Sequence, residues 1–74
     1  MTKPFAIGID IGGTNTKIGL VDKKGNILNQ TVMQTTGHNT VELYVDALKT
    51  EIEKLAANKG IDEIAGVGVG VPNG

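Results

Sequence analysis

The feature that most restricts the fold of this chain is an apolar run, Phe5 to Ile11, that carries one carboxylate near its end and is followed at once by two glycines. Such a run suits a central β-strand that is buried on both faces. Asp10 would be costly to bury there without a partner, so we expect it at the mouth of the strand. Gly12 and Gly13 allow a turn with positive φ and a close approach of the backbone to a bulky group. The pattern predicts a strand, a tight turn and a second strand.

The composition of the turn is typical of a site that holds phosphate and a divalent cation. Mg²⁺ prefers oxygen ligands, keeps several waters and is commonly held by one or two carboxylates together with substrate phosphates, so Asp10 alone is sufficient. Successive backbone amides in a glycine turn form a concavity that attracts anions. Thr14, Asn15 and Thr16 add hydrogen-bond donors, and Lys17 adds a positive charge. The spacing does not determine whether Lys17 points into the turn.

Two other kinds of phosphate loop are excluded by the sequence. Gly8 and Gly13 have the spacing of a Walker A loop, but Thr14 replaces the lysine and a strand follows where that loop needs a helix. The dinucleotide pattern G-x-G-x-x-G is absent. An ordinary hairpin remains the alternative, because Asp10 can also start a turn by accepting a hydrogen bond from the backbone two residues on. Composition alone leaves both interpretations open.

Length and composition limit what the chain can be. With 74 residues, of which 39% are apolar, it is at most one small domain with little material for a core. It has no cysteine, which excludes disulfides and thiolate metal sites and fits a reducing cytoplasm. Asp10 interrupts the first apolar run early, so we expect no signal peptide, no membrane span and a cytoplasmic location. A net charge of -1 with one Tyr and one Phe argues against nucleic-acid binding by this segment.

Two further strands are predicted after the turn. Lys17 to Asp22 alternates between apolar and polar residues, and Ile27 to Gln34 does so more weakly, with a tight turn at 23–26 between them. The second of these strands is the more polar, which favours a position near a sheet edge. We expect the first three strands to form an antiparallel meander.

An amphipathic helix is predicted after a loop at 36–40. Asn39 with Glu42 three residues later is typical of a helix start, and Gly60 is expected to end the helix. His38, in the loop, is expected to be solvated and to have no role. The apolar stripe is expected to pack on a sheet. It consists of Val41, Tyr44, Val45, Leu48, Ile52 and Leu55.

A last strand is predicted from Ile64 to Val71, followed by the loop Pro72-Asn73-Gly74. Because a helix leads into it, we expect it to run parallel to the first strand, with a right-handed connection. Asp10 and the final loop would then lie at the same edge of the sheet, where ligands of open α/β sheets bind. The alternating glycines of this strand leave one face bare, which weakens it unless a ligand or another backbone comes close.

Two separated segments carry a family resemblance. The order β-β-β-α-β, the segment from Ile7 to Gly19 and the ending from Gly66 to Gly74 together resemble the N-terminus of the ROK family. The name stands for "repressor, open reading frame, kinase", a group of bacterial sugar kinases that includes many glucokinases. The resemblance covers essentially the whole chain. It implies a ribonuclease H-like α/β fold with a mixed sheet, as in actin and hexokinase, of which residues 1–74 would form a single partial domain at the N-terminus.

The resemblance also implies roles for individual residues. The Asp-x-Gly-Gly-Thr turn is the first phosphate motif of the family, so this part of the chain would face the phosphates of ATP. Asp10 would bind Mg²⁺ through water, and Asn73 and Gly74 would approach the sugar. The residues implied for ATP are Gly12, Gly13, Thr14, Asn15 and Lys17.

The implied activity is ATP-dependent phosphorylation of a hexose, most readily glucose, by a longer parent protein. The sequence stops at Gly74, before the family's catalytic aspartate, its zinc motif, its sugar-binding carboxylate and its adenosine-binding loop. Phosphoryl transfer needs several such parts at once, so no catalytic residue is expected in this chain and it should be inactive alone. An exposed sheet face and strand edge should make the chain self-associate or leave it only marginally stable, and the parent is expected to be a homo-oligomer if the chain does not self-associate.

The alternative function is that of a sugar-responsive transcriptional repressor of the same family. Such relatives keep the fold and place a DNA-binding helix-turn-helix before it. Here the first strand follows directly after Met1 to Pro4, which favours the enzyme.

Overall fold

A computed structural model describes residues 3–57 and 63–70 of the chain. Four strands form one sheet in the order β3-β2-β1-β4, in which β4 runs parallel to β1 and the other neighbours are antiparallel. The mixed sheet, the antiparallel meander and the edge position of the third strand are thereby confirmed. The elements are β1 (Phe5–Ile11), β2 (Asn15–Asp22), β3 (Ile27–Gln34), α1 (Val41–Ala56) and β4 (Ile64–Gly70).

The second strand begins two residues before its predicted start at Lys17. Asn15 pairs with Gln34 of β3, and Thr16 pairs with Ile11 of β1, so the ladder continues up to the turn. The bounds predicted for the first and third strands are confirmed. Because β2 extends so far, the turn between β1 and β2 contains only residues 12–14.

The helix begins one residue later than the Asn39 and Glu42 pair predicted. Thr40 is the N-cap, with extended backbone angles, and its Oγ1 accepts a hydrogen bond from the Leu43 N–H at 3.1 Å. A threonine hydroxyl, like an asparagine side-chain oxygen, can accept a hydrogen bond from a free amide of the first turn. The helix ends at Ala56. Gly60, the predicted end, lies outside the described residues.

One face of the sheet carries the core. Ile7 and Ile9 of β1 and Ile18 and Leu20 of β2 are buried against the helix residue Leu55. The prediction that β1 is buried on both faces is wrong for this chain, since Gly8 and Asp10 are exposed on the other side. A single helix covers a single face, and that leaves the second face open.

The helix covers only part of its own side of the sheet. Leu48 and Ile52 pack against the core, whereas Val41 remains 77% exposed, so the apolar stripe packs as predicted only in its second half. The helix lies mainly over β2 and β3. Val67 and Val69 of β4 share a side with Ile7 and Ile9 but are more than half exposed.

The predicted turn at 23–26 is a hairpin organised by one carboxylate. Asp22 accepts hydrogen bonds from the backbone N–H of Lys24 and of Asn26, both at 2.9 Å, and Gly25 adopts a φ of 89°. The bond from the Asn26 backbone is the largest cause of a lowered pKa at Asp22. Because the pKa of Asp22 is lowered in the folded state, its ionised form stabilises the hairpin at pH values above the ordinary Asp pKa. This contribution is lost as pH falls through the lowered value.

No helix in the described part of the chain is long and apolar enough to cross a membrane.

Candidate functional site

The turn between β1 and β2 is closed by backbone hydrogen bonds. The Gly12 N–H donates to the Asn15 carbonyl at 2.9 Å, which fixes the width of the turn. The Thr35 N–H, from the segment after β3, donates to the Thr14 carbonyl at 2.8 Å. The turn is therefore closed by a hydrogen bond of its own backbone and is also bonded to the segment that follows β3.

The two glycines of the turn serve different purposes, and neither uses the positive φ that glycine allows. Among the described glycines, only Gly25 and Gly37 have positive φ. A Cβ on Gly12 would lie 2.8 Å from the Asn15 carbonyl oxygen, closer than van der Waals contact permits. A Cβ on Gly13 would meet nothing within 4 Å, and Gly13 is exposed. Gly12 is needed to close the turn, whereas Gly13 leaves open space in front of it.

Asp10 and Lys17 face each other across the two strands on the open side of the sheet. They are paired in the register of β1 and β2, and both are exposed. Lys17 therefore lies on the same face of the sheet as Asp10. Within residues 3–57 and 63–70, the one ion pair joins Lys54 to Glu51 at 3.4 Å, so Asp10 and Lys17 do not form an ion pair. Both charges face solvent at the end of the strand.

The alternative interpretation, in which Asp10 only starts a hairpin turn, can be compared with Asp22, which does start one. Asp22 accepts a hydrogen bond from the amide two residues on, which is the bond that starts an Asx turn. The Asp10 carboxylate makes no such bond to the described residues, and the Gly12 N–H is used by the Asn15 carbonyl instead. Asp10 therefore does not organise its turn, and its oxygens remain available.

A row of glycines crosses the open face next to these charges. Gly8 pairs with Gly19 on one side and with Gly68 on the other, so three adjacent strands lack side chains at this level. They line a concavity of ≈ 350 Å³, with Asp10 and Lys17 at one end. A Cβ on Gly8 or on Gly68 would meet nothing within 4 Å, so packing within the described residues does not require glycine at either position.

The register of β4 brings the end of that strand to the same edge. Gly70 pairs with Asp10, so β1 and β4 end side by side, as the parallel arrangement predicted. Val71, Asn73 and Gly74 lie outside the described residues, and the predicted position of Asn73 and Gly74 near a sugar stays a prediction.

Thr16 has a different place from the one that the sequence predicted. Instead of donating into the turn, it is fully buried on the helix side of the sheet, where its hydroxyl meets those of Thr35 and Tyr44. The signal was present in the alternation of β2, because Thr16, Ile18 and Leu20 share one face. Thr14, Asn15 and Lys17 are exposed.

His38 is half-buried rather than solvated. Its ring meets the Tyr44 ring edge-on at a centroid distance of 5.3 Å, and its Nε2 lies 2.9 Å from the Gln34 carbonyl oxygen. Beside this pair lies a second cavity of ≈ 380 Å³, lined in part by Ile11 and Thr35. The sequence did not indicate these contacts of His38, because Gln34 lies in β3, His38 in the following loop and Tyr44 in α1.

Comparison with known proteins shows which family the chain resembles over most of its length. The profile of the ROK family matches residues 6–73. Glucokinases of Streptomyces coelicolor and Streptomyces lividans are each 44% identical over 66 residues, which is 89% of this chain and 19% of theirs.

Two solved structures share the fold. A ROK family glucokinase from Streptomyces griseus, in complex with glucose and AMPPNP, superimposes with a TM-score of 0.73 at 33% identity, over 90% of this chain and 20% of that one. A putative sugar kinase from Cytophaga hutchinsonii gives 0.68 at 36% identity, over 89% and 21%. The predicted fold class, a partial ribonuclease H-like α/β domain, is confirmed. The chain spans about a fifth of the length of these relatives.

The contrast between the two turn glycines gives a matched pair of variants. Gly12→Ala should lower the free energy of unfolding by about 1–3 kcal/mol, because the new Cβ forces the Asn15 carbonyl to move. Gly13→Ala should change it by less than about 0.5 kcal/mol, since the site is open. Urea titration followed by circular dichroism measures both. Equal effects of the two substitutions would contradict the steric assignment of Gly12.

Proposed function

Since the chain belongs to the ROK family, we propose that it supplies the phosphate- and Mg²⁺-binding corner of an ATP-dependent hexose kinase, with glucose as substrate. The curated relatives are glucokinases, and the Streptomyces griseus glucokinase was solved with glucose and with AMPPNP, an analogue of ATP. Residues 1–74 would form a single partial domain of a longer polypeptide. The use of ATP implies a cytoplasmic location.

The observation that carries this proposal is the free carboxylate of Asp10 beside a closed glycine turn. An aspartate that served only the hairpin would bond to its backbone, as Asp22 does. Asp10 is exposed, lies at the end of β1, and has no ion-pair partner in the described part of the chain. An oxygen donor in that position fits Mg²⁺, which takes the rest of its ligands from water and phosphate.

The other residues of the corner fit the phosphates. Gly13 and Thr14 are exposed at the tip of the turn, and the open space beside Gly13 permits a phosphate oxygen to approach their backbone. The Asn15 side chain can donate a hydrogen bond, and Lys17 adds a positive charge on the side of Asp10. When bound, Mg²⁺ neutralises charge that develops on the transferred phosphoryl group. Asp10 would hold that ion at the mouth of β1.

The chain should not catalyse the reaction by itself. Phosphoryl transfer depends on the simultaneous positioning of nucleotide, ion and acceptor hydroxyl, and this chain spans about a fifth of its relatives. We assign no catalytic residue to it. Asn73 and Gly74 are proposed to lie near the sugar, because β4 leads towards the edge that carries Asp10.

The same partial fold should make the isolated chain self-associate. Among the residues that the structure describes, the glycine row from Gly19 to Gly68 leaves one face of the sheet open, and β4 lies at an edge with no further strand paired to it. Val67 and Val69 add exposed apolar surface on β4. Unpaired edges of this kind bind a further strand, and a second copy of the chain offers one.

Kinase activity of the full-length protein tests the proposal. It should phosphorylate glucose with Mg·ATP, and Asp10→Asn should lower kcat by about a hundredfold, because the charge that holds the ion is lost. Asp46→Asn, the same change on the exposed side of α1, should have no effect. The isolated chain should show no turnover. A full-length protein that phosphorylates neither glucose nor related hexoses would contradict the proposal and favour the sugar-responsive regulator.

Sedimentation velocity tests self-association of the isolated chain. The wild-type chain should sediment as dimers or larger species at tens of micromolar, a range chosen for a weak edge contact. Val69→Lys should shift it towards monomer, because Lys on an edge strand opposes pairing. Val41→Lys, on the helix, should not, although Val41 is the more exposed of the two at 77% against 59%. A monomer over the whole concentration range would refute this proposal.

A further inference from the structure

A buried hydroxyl lies directly behind the turn. Thr16 is 0% exposed and is the one buried polar side chain in the part of the chain that the structure describes. Its Oγ1 lies 2.8 Å from Thr35 Oγ1 and 2.7 Å from Tyr44 Oη. Valine has nearly the same volume and needs no hydrogen bond, so a hydroxyl here costs free energy unless its bonds are made. The position therefore needs a reason other than packing.

The three hydroxyls come from three different elements. Thr16 lies near the start of β2, Thr35 follows β3, and Tyr44 lies in the first turn of α1. Each hydroxyl has a single proton and two lone pairs, so Thr16 can donate to at most one of its two partners and accepts from at least one of them. A network of this kind holds its members in one arrangement when every bond is made. Here it fixes the start of β2 relative to the start of the helix.

The network is also joined to the turn through the backbone. Thr35, whose hydroxyl bonds to Thr16, donates its own N–H to the Thr14 carbonyl at 2.8 Å. Thr16 itself follows Thr14 by two residues, so the turn is held from two sides. Tyr44 is held in turn by the edge-on ring of His38, which is bonded to the Gln34 carbonyl.

We propose that Thr16, Thr35 and Tyr44 are positioning residues that hold residues 12–14 in the arrangement that receives phosphate. This inference rests on the proposed function of the turn. The buried Thr16 cannot reach a ligand in front of the turn, and it acts through the backbone of its neighbours. Loss of one hydroxyl should let the turn open more often while every group that would contact the nucleotide is retained.

Hydrogen exchange and steady-state kinetics of the full-length protein test the inference together. Thr16→Val and Tyr44→Phe should each accelerate exchange of the Gly12 amide, which is bonded to the Asn15 carbonyl, about fivefold, as expected for the loss of one hydrogen bond. The KM for Mg·ATP should rise by a similar factor, and the KM for glucose should not change. Thr16→Ser keeps the hydroxyl and should restore both values. Thr50→Val is the matched control, because the Thr50 hydroxyl bonds only within α1, to the Asp46 carbonyl at 3.0 Å.

The outcomes separate the inference from the proposed function. Faster exchange in the turn with an unchanged KM for Mg·ATP, or without any nucleotide binding, would support the positioning role and contradict the phosphate site. Unchanged exchange in the turn after Thr16→Val and Tyr44→Phe would overturn the inference. A uniform rise in amide exchange over the whole sheet would also overturn the inference, because the hydroxyls would then contribute only to general stability.

Discussion

The register of β1 between β2 and β4 is the constraint on which the rest of the structure depends. It places Ile7 and Ile9 towards the helix and Gly8 and Asp10 away from it, because side chains alternate along a strand. A shift of one residue would bury the carboxylate and expose the two isoleucines. The apolar side of β1 thus fixes the position of Asp10, and with it the charge at the end of the strand. Core packing and the candidate site are two faces of the same strand.

The two faces of the sheet differ in how far the described residues cover them. On the helix side, Leu48, Ile52 and Leu55 complete a small core, and the hydroxyls of Thr16 and Tyr44 satisfy each other within it. On the open side, glycines at the same level of three strands expose backbone and leave a concavity ≈ 350 Å³ in volume. Central strands lose stability through glycines unless something approaches closely. We propose that further chain covers the open side, in line with relatives about five times as long.

Much of the fold followed from patterns in the sequence, and the errors have physical causes. The apolar run of β1 and the turn at 23–26 were predicted because each has a strong local signal, and the parallel direction of β4 was predicted because a helix leads into it. Burial of β1 on both faces was wrong, because covering the second face needs elements that these residues do not contain. Gly12 does not use the positive φ that glycine allows. Its glycine is required by a contact with the Asn15 carbonyl, which depends on the exact path of the turn.

The candidate site was predicted unevenly for a similar reason. Asp10 and Lys17 were identified from residue type and spacing, and their pairing on one face required the register. The bonds of Thr16 to Thr35 and Tyr44 span 19 and 28 positions in the sequence, so no local pattern indicates them. Only the alternation of β2 gave a hint that Thr16 turns inward.

The central claim is that the turn after β1 receives the phosphates of a metal-bound nucleotide. Paramagnetic broadening by Mn·ATP in the isotope-labelled full-length protein tests it most directly. The amide signals of Gly12 and Gly13 should broaden first, while that of Gly25, at the opposite end of β2 and about 25 Å away, should persist. Sharp signals from Gly12 and Gly13 at saturating Mn·ATP, or equal broadening of Gly25, would contradict the account.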